Sequence, residues 1–411
     1  MSRDTDPTVA LHSHRVSLLA QRFLKMSAFR CPPEVALRSA IRLASSFHPR
    51  PAFNRGQALL SRQTSAVGQL QMKDASGASS QGRRWYRAAL CTELGKPLTV
   101  GTLPSVEKVG PGKVKIAVHS VGINFGDLLM LVGQYQEKPP LPFSPGSEGA
   151  GVVMEVGEGV KSVKKGDHVV ALSSRAGAMA EELITNEGEV WPIPNSLSFN
   201  DAAAIPCSFG TAWLALTRKV NLQPGETLLV TAAAGGVGLA AVELATNALD
   251  AKVIGAAGGP EKCDLVRSKG AVECIDYTTE NIRDRTKELT DGNGVNVALD
   301  AVGGDVWKQC LKSLAWEGRA VVIGFASGEI PKIPANHLLL KSLTTTGLYW
   351  GRYGLMDHPV FKKSVTDCFD LYTQGKIKPH VCQTFSLEKI NEAFMYMKNR
   401  KSTGKIIVNV R

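Results

Sequence analysis

TLLVTAAAGGVGLAAVELATNALDAKVIG, residues 227–255, is the stretch on which the fold turns. TLLVT is a short, unbroken apolar run of the kind found in strands buried on both faces. After AAAGGVG, the segment LAAVELATNAL spaces Leu239, Val242 and Leu249 along a helix, with alanine filling much of the rest. AKVIG then reads as a second strand, which completes a βαβ unit of about thirty residues with glycines at its first turn. Such a turn suits a pyrophosphate, which lies against backbone N–H groups at a helix N-terminus, where the helix dipole favours anions. Gly235, Gly236 and Gly238 are expected to clear that approach, because side chains there would hold the anion away. A structural tight turn in an unrelated α/β domain is the plain alternative.

The alternation continues downstream. Residues 261–269 suit a helix, and VECID (272–276), VNVALDA (295–301) and RAVVIG (319–324) suit strands. SLTTTGL (342–348) is a candidate sixth strand. Repeated β and α elements imply a doubly wound parallel sheet covered on both faces. Ligands on such sheets bind beyond the carboxyl ends of the strands, which puts DAVGG (300–304) and GFASG (324–328) near the ligand.

Upstream the pattern changes. Val114, Ile116 and Val118 alternate with Lys115, Ala117 and His119, as in a half-buried strand. GAGVVMEVGEGVKSVKKGDHVVAL (149–172) holds two apolar runs joined by a Gly/Lys-rich turn, which suggests antiparallel β structure. The reading therefore divides the folded chain into a β-rich part at 85–205, the α/β domain at 206–340, and a return to the β-rich part at 341–411.

Charge separates off the first segment. Residues 1–84 hold thirteen of the 48 Lys/Arg and four of the 37 Asp/Glu, a balance of +9, so the rest of the chain carries only +2 of the net +11. A nucleic-acid protein concentrates basic charge on a folded face; here the charge lies where the sequence looks unfolded. VALRSAIRLA (35–44) sets Arg38 and Arg42 on one helical face and Leu37 and Ile41 on another. An amphipathic, Arg-rich, acid-poor start is the pattern of a mitochondrial transit peptide, and the Ser/Gly/Gln-rich run 57–82 reads as a linker. A plain extension on a cytoplasmic protein is the alternative. The eight cysteines include no C-x-x-C pair and no zinc-site spacing. No run of about 18 apolar residues suggests a membrane span.

Six segments together resemble the medium-chain dehydrogenase/reductase superfamily, and within it the zinc-free quinone oxidoreductase group. They are GINFGD (122–127), PGSEGAG (145–151), GDHVVAL (166–172), FGTAWLAL (209–216), AAAGGVG (232–238) and RKSTGKIIV (400–408). They follow the family's order over about 90–411. The resemblance implies an α/β protein with a GroES-like β-rich catalytic domain, a Rossmann domain inserted in it and a cleft between the two. It also implies a homodimer, commonly built through the Rossmann domains. In the superfamily's zinc alcohol dehydrogenases the catalytic ligands are typically Cys, His and Cys; the matching positions here are Asn124, Ser147 and Cys207. A catalytic zinc needs three protein ligands, so no metal is expected.

By the same resemblance, Asn124 is the residue near nicotinamide and substrate, where it can donate to a carbonyl gaining negative charge; an Asn that merely forms the turn is the alternative. Tyr135 matches a cleft tyrosine able to donate a proton or stack on a flat acceptor, or is an ordinary core or surface aromatic. Gly126 stands at the hydroxyl position of the alcohol dehydrogenase relay and Leu129 at another tyrosine position, so alcohol oxidation by that relay is not expected. The final proton is then expected from solvent or Tyr135. Asp127 and Glu148 match structural positions and stay outside the catalytic set.

The cofactor is expected to be NADPH. The second strand ends VIGAAG (253–258), without the Asp or Glu that selects NAD. Gly258, Lys262, Tyr277 and Arg400 match the 2′-phosphate site of NADPH-dependent members. Thr211, the turn residues Ala234, Gly235, Gly236 and Val237, then Val302, Gly324 and Phe325 complete the cofactor set. The implied activity is zinc-independent hydride transfer from NADPH to a quinone or similar conjugated carbonyl, a small-molecule substrate. An enone or enoyl-thioester reductase is the second reading. A cofactor-binding protein with a structural or RNA-binding role is the third, although nothing basic and aromatic in 85–411 favours nucleic acid.

Overall fold

The structure, a computed structural model, describes residues 84–174 and 176–411. The transit-peptide and linker assignment at 1–84 lies outside the described residues, apart from Arg84. Strands β1 (Trp85–Leu90) and β2 (Thr99–Pro104) form an antiparallel hairpin. β3 (Lys113–Ile123) buries Val114, Ile116 and Val118 as the sequence pattern suggests, but Lys115 between them is buried too, paired with Glu182 at 2.9 Å, so the strand is not open on one face as expected. Helix α1 (Phe125–Leu131) follows, then β4 (Glu148–Val156), β5 (His168–Leu172), β6 (Glu182–Asn186) and β7 (Val190–Pro192). β4 and β5 are the two expected apolar runs, and they pair antiparallel. Short helices α2 (Phe199–Ala204) and α3 (Pro206–Leu214) lead out of this part.

The α/β part runs β8 (Thr227–Thr231), α4 (Gly236–Asn247), β9 (Lys252–Ala257), α5 (Pro260–Ser268), β10 (Glu273–Asp276), α6 (Ile282–Leu289), β11 (Val295–Asp300), α7 (Gly304–Ser313), β12 (Leu314–Val322), α8 (Ala335–Lys341) and β13 (Thr344–Gly347). Its six strands lie in the order β10-β9-β8-β11-β12-β13, each neighbour pair parallel. The central strands β8 and β11 read as largely apolar runs because helices cover both faces, whereas the edge strands β10 (ECID) and β13 (TTTG) do not. Leu228 and Val230 face the layer that holds Leu239, Val242 and Val266, whereas Leu229 faces the other layer with Ile254, Ile275, Ile282 and Trp307. The strand order reverses direction between β8 and β11, which opens a crevice beyond their carboxyl ends.

Helices α9 (Trp350–Met356) and α10 (His358–Thr373) precede β14 (Val381–Ser386), α11 (Ile390–Lys398) and β15 (Lys405–Asn409). β14 and β15 join β3, β4, β5 and β7 in a seven-stranded sheet, with β6 also on β3. The expected boundary at 340/341 is therefore corrected. Thr344–Gly347 is the sixth parallel strand, and α10 packs on α3, with Phe361, Val365 and Cys368 in the same core as Leu239 and Val242. The return to the β-rich part comes at β14. A four-residue strand followed by amphipathic helix carries little signal of which sheet it joins; that depends on pairing with β12.

Candidate active site

The glycine turn occupies the expected place. Helix α4 starts at Gly236 with Gly235 as its N-cap, and no side chain caps it. The first N–H groups of a helix have no partner within it, so this end is open to an anion. The glycines, however, serve different purposes. A Cβ on Gly238 would lie 2.3 Å from the Ala232 carbonyl oxygen, so this glycine lets helix and strand approach. A Cβ on Gly236 would meet Ser208 Oγ at 2.9 Å and Lys405 Cδ at 3.3 Å. Gly235 is the least crowded of the three, although a Cβ there would still press on the Ala232 carbonyl oxygen at 3.2 Å. Packing inside the protein thus gives Gly236 and Gly238 a second reason to be glycine, independent of any ligand.

DAVGG is organised by a buried acid. Asp300 accepts Thr231 Oγ1 at 2.6 Å and the N–H groups of Val302 at 3.2 Å and Gly303 at 2.9 Å. These bonds tie β8 to β11 at the crevice, while burial raises the Asp300 carboxyl above its ordinary range. Val302 and Gly324 are half-buried beside it and Phe325 is exposed. Thr211 is half-buried on α3, which packs on α4.

Beyond β9, four predicted residues from three segments come together. The ring of Tyr277 lies where Gly258 has no side chain; a Cβ there would be 3.2 Å from Tyr277 Cε2. Burial raises the Tyr277 phenol, and the nearby positive charge of Arg400 opposes that rise. Lys262 Nζ donates to the Arg400 carbonyl at 2.7 Å. Two acids border the cluster: Glu261 is exposed on the first turn of α5, and Asp276, next to Tyr277, accepts the N–H groups of Gly259 at 2.8 Å and Thr278 at 3.0 Å. Two cations and a phenol fit a phosphate, with the neighbouring Asp276 carboxylate already engaged by backbone N–H groups.

At the other end, Asn124 precedes α1 and is half-buried. Its backbone N–H donates to Asp127 Oδ2 at 2.8 Å. Its side chain is held twice, Nδ2 donating to Glu148 Oε1 at 2.8 Å and Oδ1 accepting Lys405 Nζ at 2.8 Å. Lys405 and Glu148 are both buried, 2.5 Å apart, and the other Glu148 oxygen accepts the Cys207 N–H at 2.8 Å, at the start of α3. Losing one member of such a pair leaves a buried charge unmatched, at a cost of about 3–5 kcal/mol. Sequence reasoning set Glu148 aside and did not single out Lys405. The only local hint is a lysine inside the apolar run of RKSTGKIIV.

Burial pushes the Asp127 carboxyl up to about 6, against the lowering effect of the Asn124 N–H, the Lys405 charge and the Ser147 hydroxyl, which donates to Asp127 at 3.2 Å. Burial and the Glu148 charge raise the Cys207 thiol well above its ordinary value, so it stays a thiol. Tyr135 covers Gly126, whose absent Cβ would lie 3.2 Å from the tyrosine ring. The ring also meets Tyr349 edge-on, centroids 6.4 Å apart, and Tyr349 donates to Glu137. Burial raises the Tyr135 phenol, which stays protonated at neutral pH. Tyr349 was not predicted; its contact with Tyr135 joins residues far apart in the chain. Among the described residues no three His, Cys, Asp or Glu side chains are grouped to hold a metal ion.

Two family models match the chain: "Alcohol dehydrogenase GroES-like domain" over residues 110–195 and "Zinc-binding dehydrogenase" over 236–368. A quinone oxidoreductase-like protein 2 homolog from Nematostella vectensis is 49% identical over 387 residues, 94% of this chain and 100% of that protein. Quinone oxidoreductase-like protein 2 of Mus musculus is 52% identical over 331 residues, 80% of this chain and 94% of that one. Among solved structures, Escherichia coli quinone oxidoreductase complexed with NADPH superposes with a TM-score of 0.72 at 30% identity, covering 80% of this chain and 100% of that one.

Proposed function

The chain belongs to the quinone oxidoreductase group of the medium-chain dehydrogenase/reductase superfamily, and on that premise we propose that it is an NADPH-dependent, metal-free reductase of quinones or similar conjugated carbonyls. That it is an oxidoreductase with a nicotinamide cofactor follows from the family. The observation that carries the finer reading is the segment RKSTGK, residues 400–405. Arg400 stands by Tyr277, the Gly404 N–H bonds the Ala234 carbonyl at 2.7 Å, and Lys405 bonds Asn124. One short segment thus runs from the phosphate cluster, past the glycine turn, to the carbonyl donor, in the order of a dinucleotide's own parts.

When bound, NADPH supplies the hydride. The N–H groups at the start of α4 would hold its pyrophosphate, and Lys262, Tyr277 and Arg400 would hold the 2′-phosphate. Asn124 donates its free amide N–H to the substrate oxygen as that oxygen gains charge. A conjugated acceptor is already electrophilic, so positioning matters more than activation. Tyr135 and Tyr349 give a flat substrate an aromatic wall, and the Tyr135 hydroxyl is a proton source within it. Asn124 and Ser147, at two of the positions that bind zinc in alcohol dehydrogenases, support chemistry without a metal.

NADPH oxidation with a panel of quinones, enones and enoyl thioesters tests this, together with metal analysis. Quinone turnover with well below one zinc per chain is expected. No turnover despite tight cofactor binding would sink the enzyme reading, and zinc lost together with activity on chelation would sink the metal-free one. Preferred turnover of enoyl thioesters would favour the second reading. We also propose a homodimer, supported by the free edge of β13 and by exposed Leu339 and Leu340 on the preceding helix, α8. A light-scattering mass of one chain would exclude it. Residues 1–84 are proposed to direct mitochondrial import, on their Arg-rich, acid-poor composition.

A further inference from the structure

Lys405 touches both halves of the site. Its ammonium bonds Asn124, Glu148 and, at 3.3 Å, the Ile123 carbonyl, while its stem lies under the glycine turn, 3.3 Å from where a Cβ of Gly236 would be. We propose that Lys405 is a positioning residue for the reaction. It fixes the Asn124 amide in the one orientation that offers an N–H to the substrate oxygen, and it links that orientation to the seating of the cofactor turn. The inference rests on Asn124 being the carbonyl's donor, as proposed above.

The argument is one of donors and acceptors. An asparagine side chain has one acceptor oxygen and two N–H donors. Here Oδ1 meets an ammonium and one N–H meets a carboxylate. Turned by 180°, the amide would set NH2 against the ammonium and oxygen against the carboxylate, so both charge-assisted bonds would become repulsive contacts. One orientation remains, and it leaves one N–H unused. The ammonium on Oδ1 also polarises the amide, which strengthens that N–H as a donor. All three ammonium hydrogens are engaged, so Lys405 has none to give the substrate.

No neighbour can take its place. Asp127, from α1, accepts the Asn124 backbone N–H and the Ser147 hydroxyl. The Cys207 N–H, from α3, is committed to the far oxygen of Glu148. The chain entering Lys405 is hooked onto the turn, since Gly404 bonds Ala234 and bridges Gly235. A shift of the turn therefore moves the root of Lys405 and, through its head, Asn124.

A double-mutant cycle on the full chain tests this: wild type, Asn124→Ala, Lys405→Met and the pair. Two quantities are read. One is kcat/KM for 1,4-benzoquinone with NADPH. The other is the dissociation constant of 4-nitrophenolate, a stable phenolate resembling a reduced quinone, with NADP+ present. Lys405→Met is expected to lower kcat/KM at least tenfold and to weaken 4-nitrophenolate binding. In the Asn124→Ala background the same change should cost less than twofold on either readout, because its target is gone. Lys405→Arg should recover part of the loss. If Lys405→Met does not fold, the pair Lys405→Met/Glu148→Gln, which removes both buried charges, takes its place in the cycle. Additive effects on both readouts, or a lowered thermal midpoint with unchanged kcat/KM, would overturn the role. No effect of Asn124→Ala by itself would instead overturn the donor reading on which it rests.

Discussion

Replacing Lys262 and Arg400 by alanine, singly and together, tests the cofactor assignment at its most specific point. The ammonium of Lys262 has three hydrogens, and one is spent on the Arg400 carbonyl at 2.7 Å. Two remain for a phosphate, beside the exposed Arg400 side chain and the Tyr277 hydroxyl. Charge-assisted hydrogen bonds contribute about 1.5–3 kcal/mol each, and exposure to solvent favours the low end. A loss of about 1.4 kcal/mol is tenfold in affinity, so each single change should weaken NADPH about tenfold. The two effects should not multiply. Lys262 holds the backbone of Arg400, so losing Lys262 already disturbs the second contact, and the double variant should lose clearly less than a hundredfold. NADH lacks the phosphate, so its affinity should change less than twofold. Dissociation constants from quenching of protein fluorescence, and Michaelis constants for both cofactors, measure this directly. Equal loss with NADPH and NADH would refute the reasoning, because it would make these residues supports of the fold. A wild-type preference for NADH would refute the assignment itself.

Gly238→Ala should destabilise the protein by about 1–3 kcal/mol even without cofactor, because its Cβ would strike backbone at 2.3 Å; Gly235→Ala, whose Cβ would press on one backbone oxygen at 3.2 Å, should destabilise less and reduce NADPH affinity more than thermal stability. Equal thermal midpoints for the two variants would contradict this division. Asp127 is held at about 6 against an ordinary 3.8, so the folded state binds its proton more tightly than the unfolded state. Its contribution to stability is present below about pH 4 and is lost as pH rises through about 6, and Asp127→Asn should remove that slope from urea midpoints measured over this range. A variant with the slope intact would assign it to another group. A chain starting at residue 85 should stay folded and active, and residues 1–84 fused to a fluorescent protein should carry it into mitochondria. A diffuse cytoplasmic signal would reject the import proposal, and an insoluble truncated chain would reject the boundary.

Much of the molecule was legible along the chain because its signals are local. Apolar runs of TLLVT and VNVALD type mark strands covered on both faces, since burial on both faces writes itself into neighbouring residues; alternation located β3 but not the burial of Lys115, which depends on Glu182 from β6. The empty end of β9, followed by Lys262, indicated the phosphate-side cluster, and Tyr277 and Arg400 did assemble there with Gly258. The resemblance supplied Tyr277 and Arg400; no spacing in the sequence joins them to Lys262.

Other features only the tertiary structure decided. Lys405 and Glu148 lie 257 residues apart, and each alone reads as one more charged residue of the kind that usually ends on the surface. Their burial side by side, with Asn124 between them, depends on β15 pairing with β3 and β3 with β4. The packing reasons for Gly236 and Gly238 likewise lie in Ser208, Lys405 and the Ala232 carbonyl, which no turn motif names. The end of the α/β domain was set too early: SLTTTGL was already a candidate strand, but only its pairing with β12 and the packing of α10 on α3 carry the domain past it. Propensity and periodicity act over a few residues, whereas the matching of buried charges, close backbone approach and the choice of sheet are set by contacts across the chain, which exist only once it has folded.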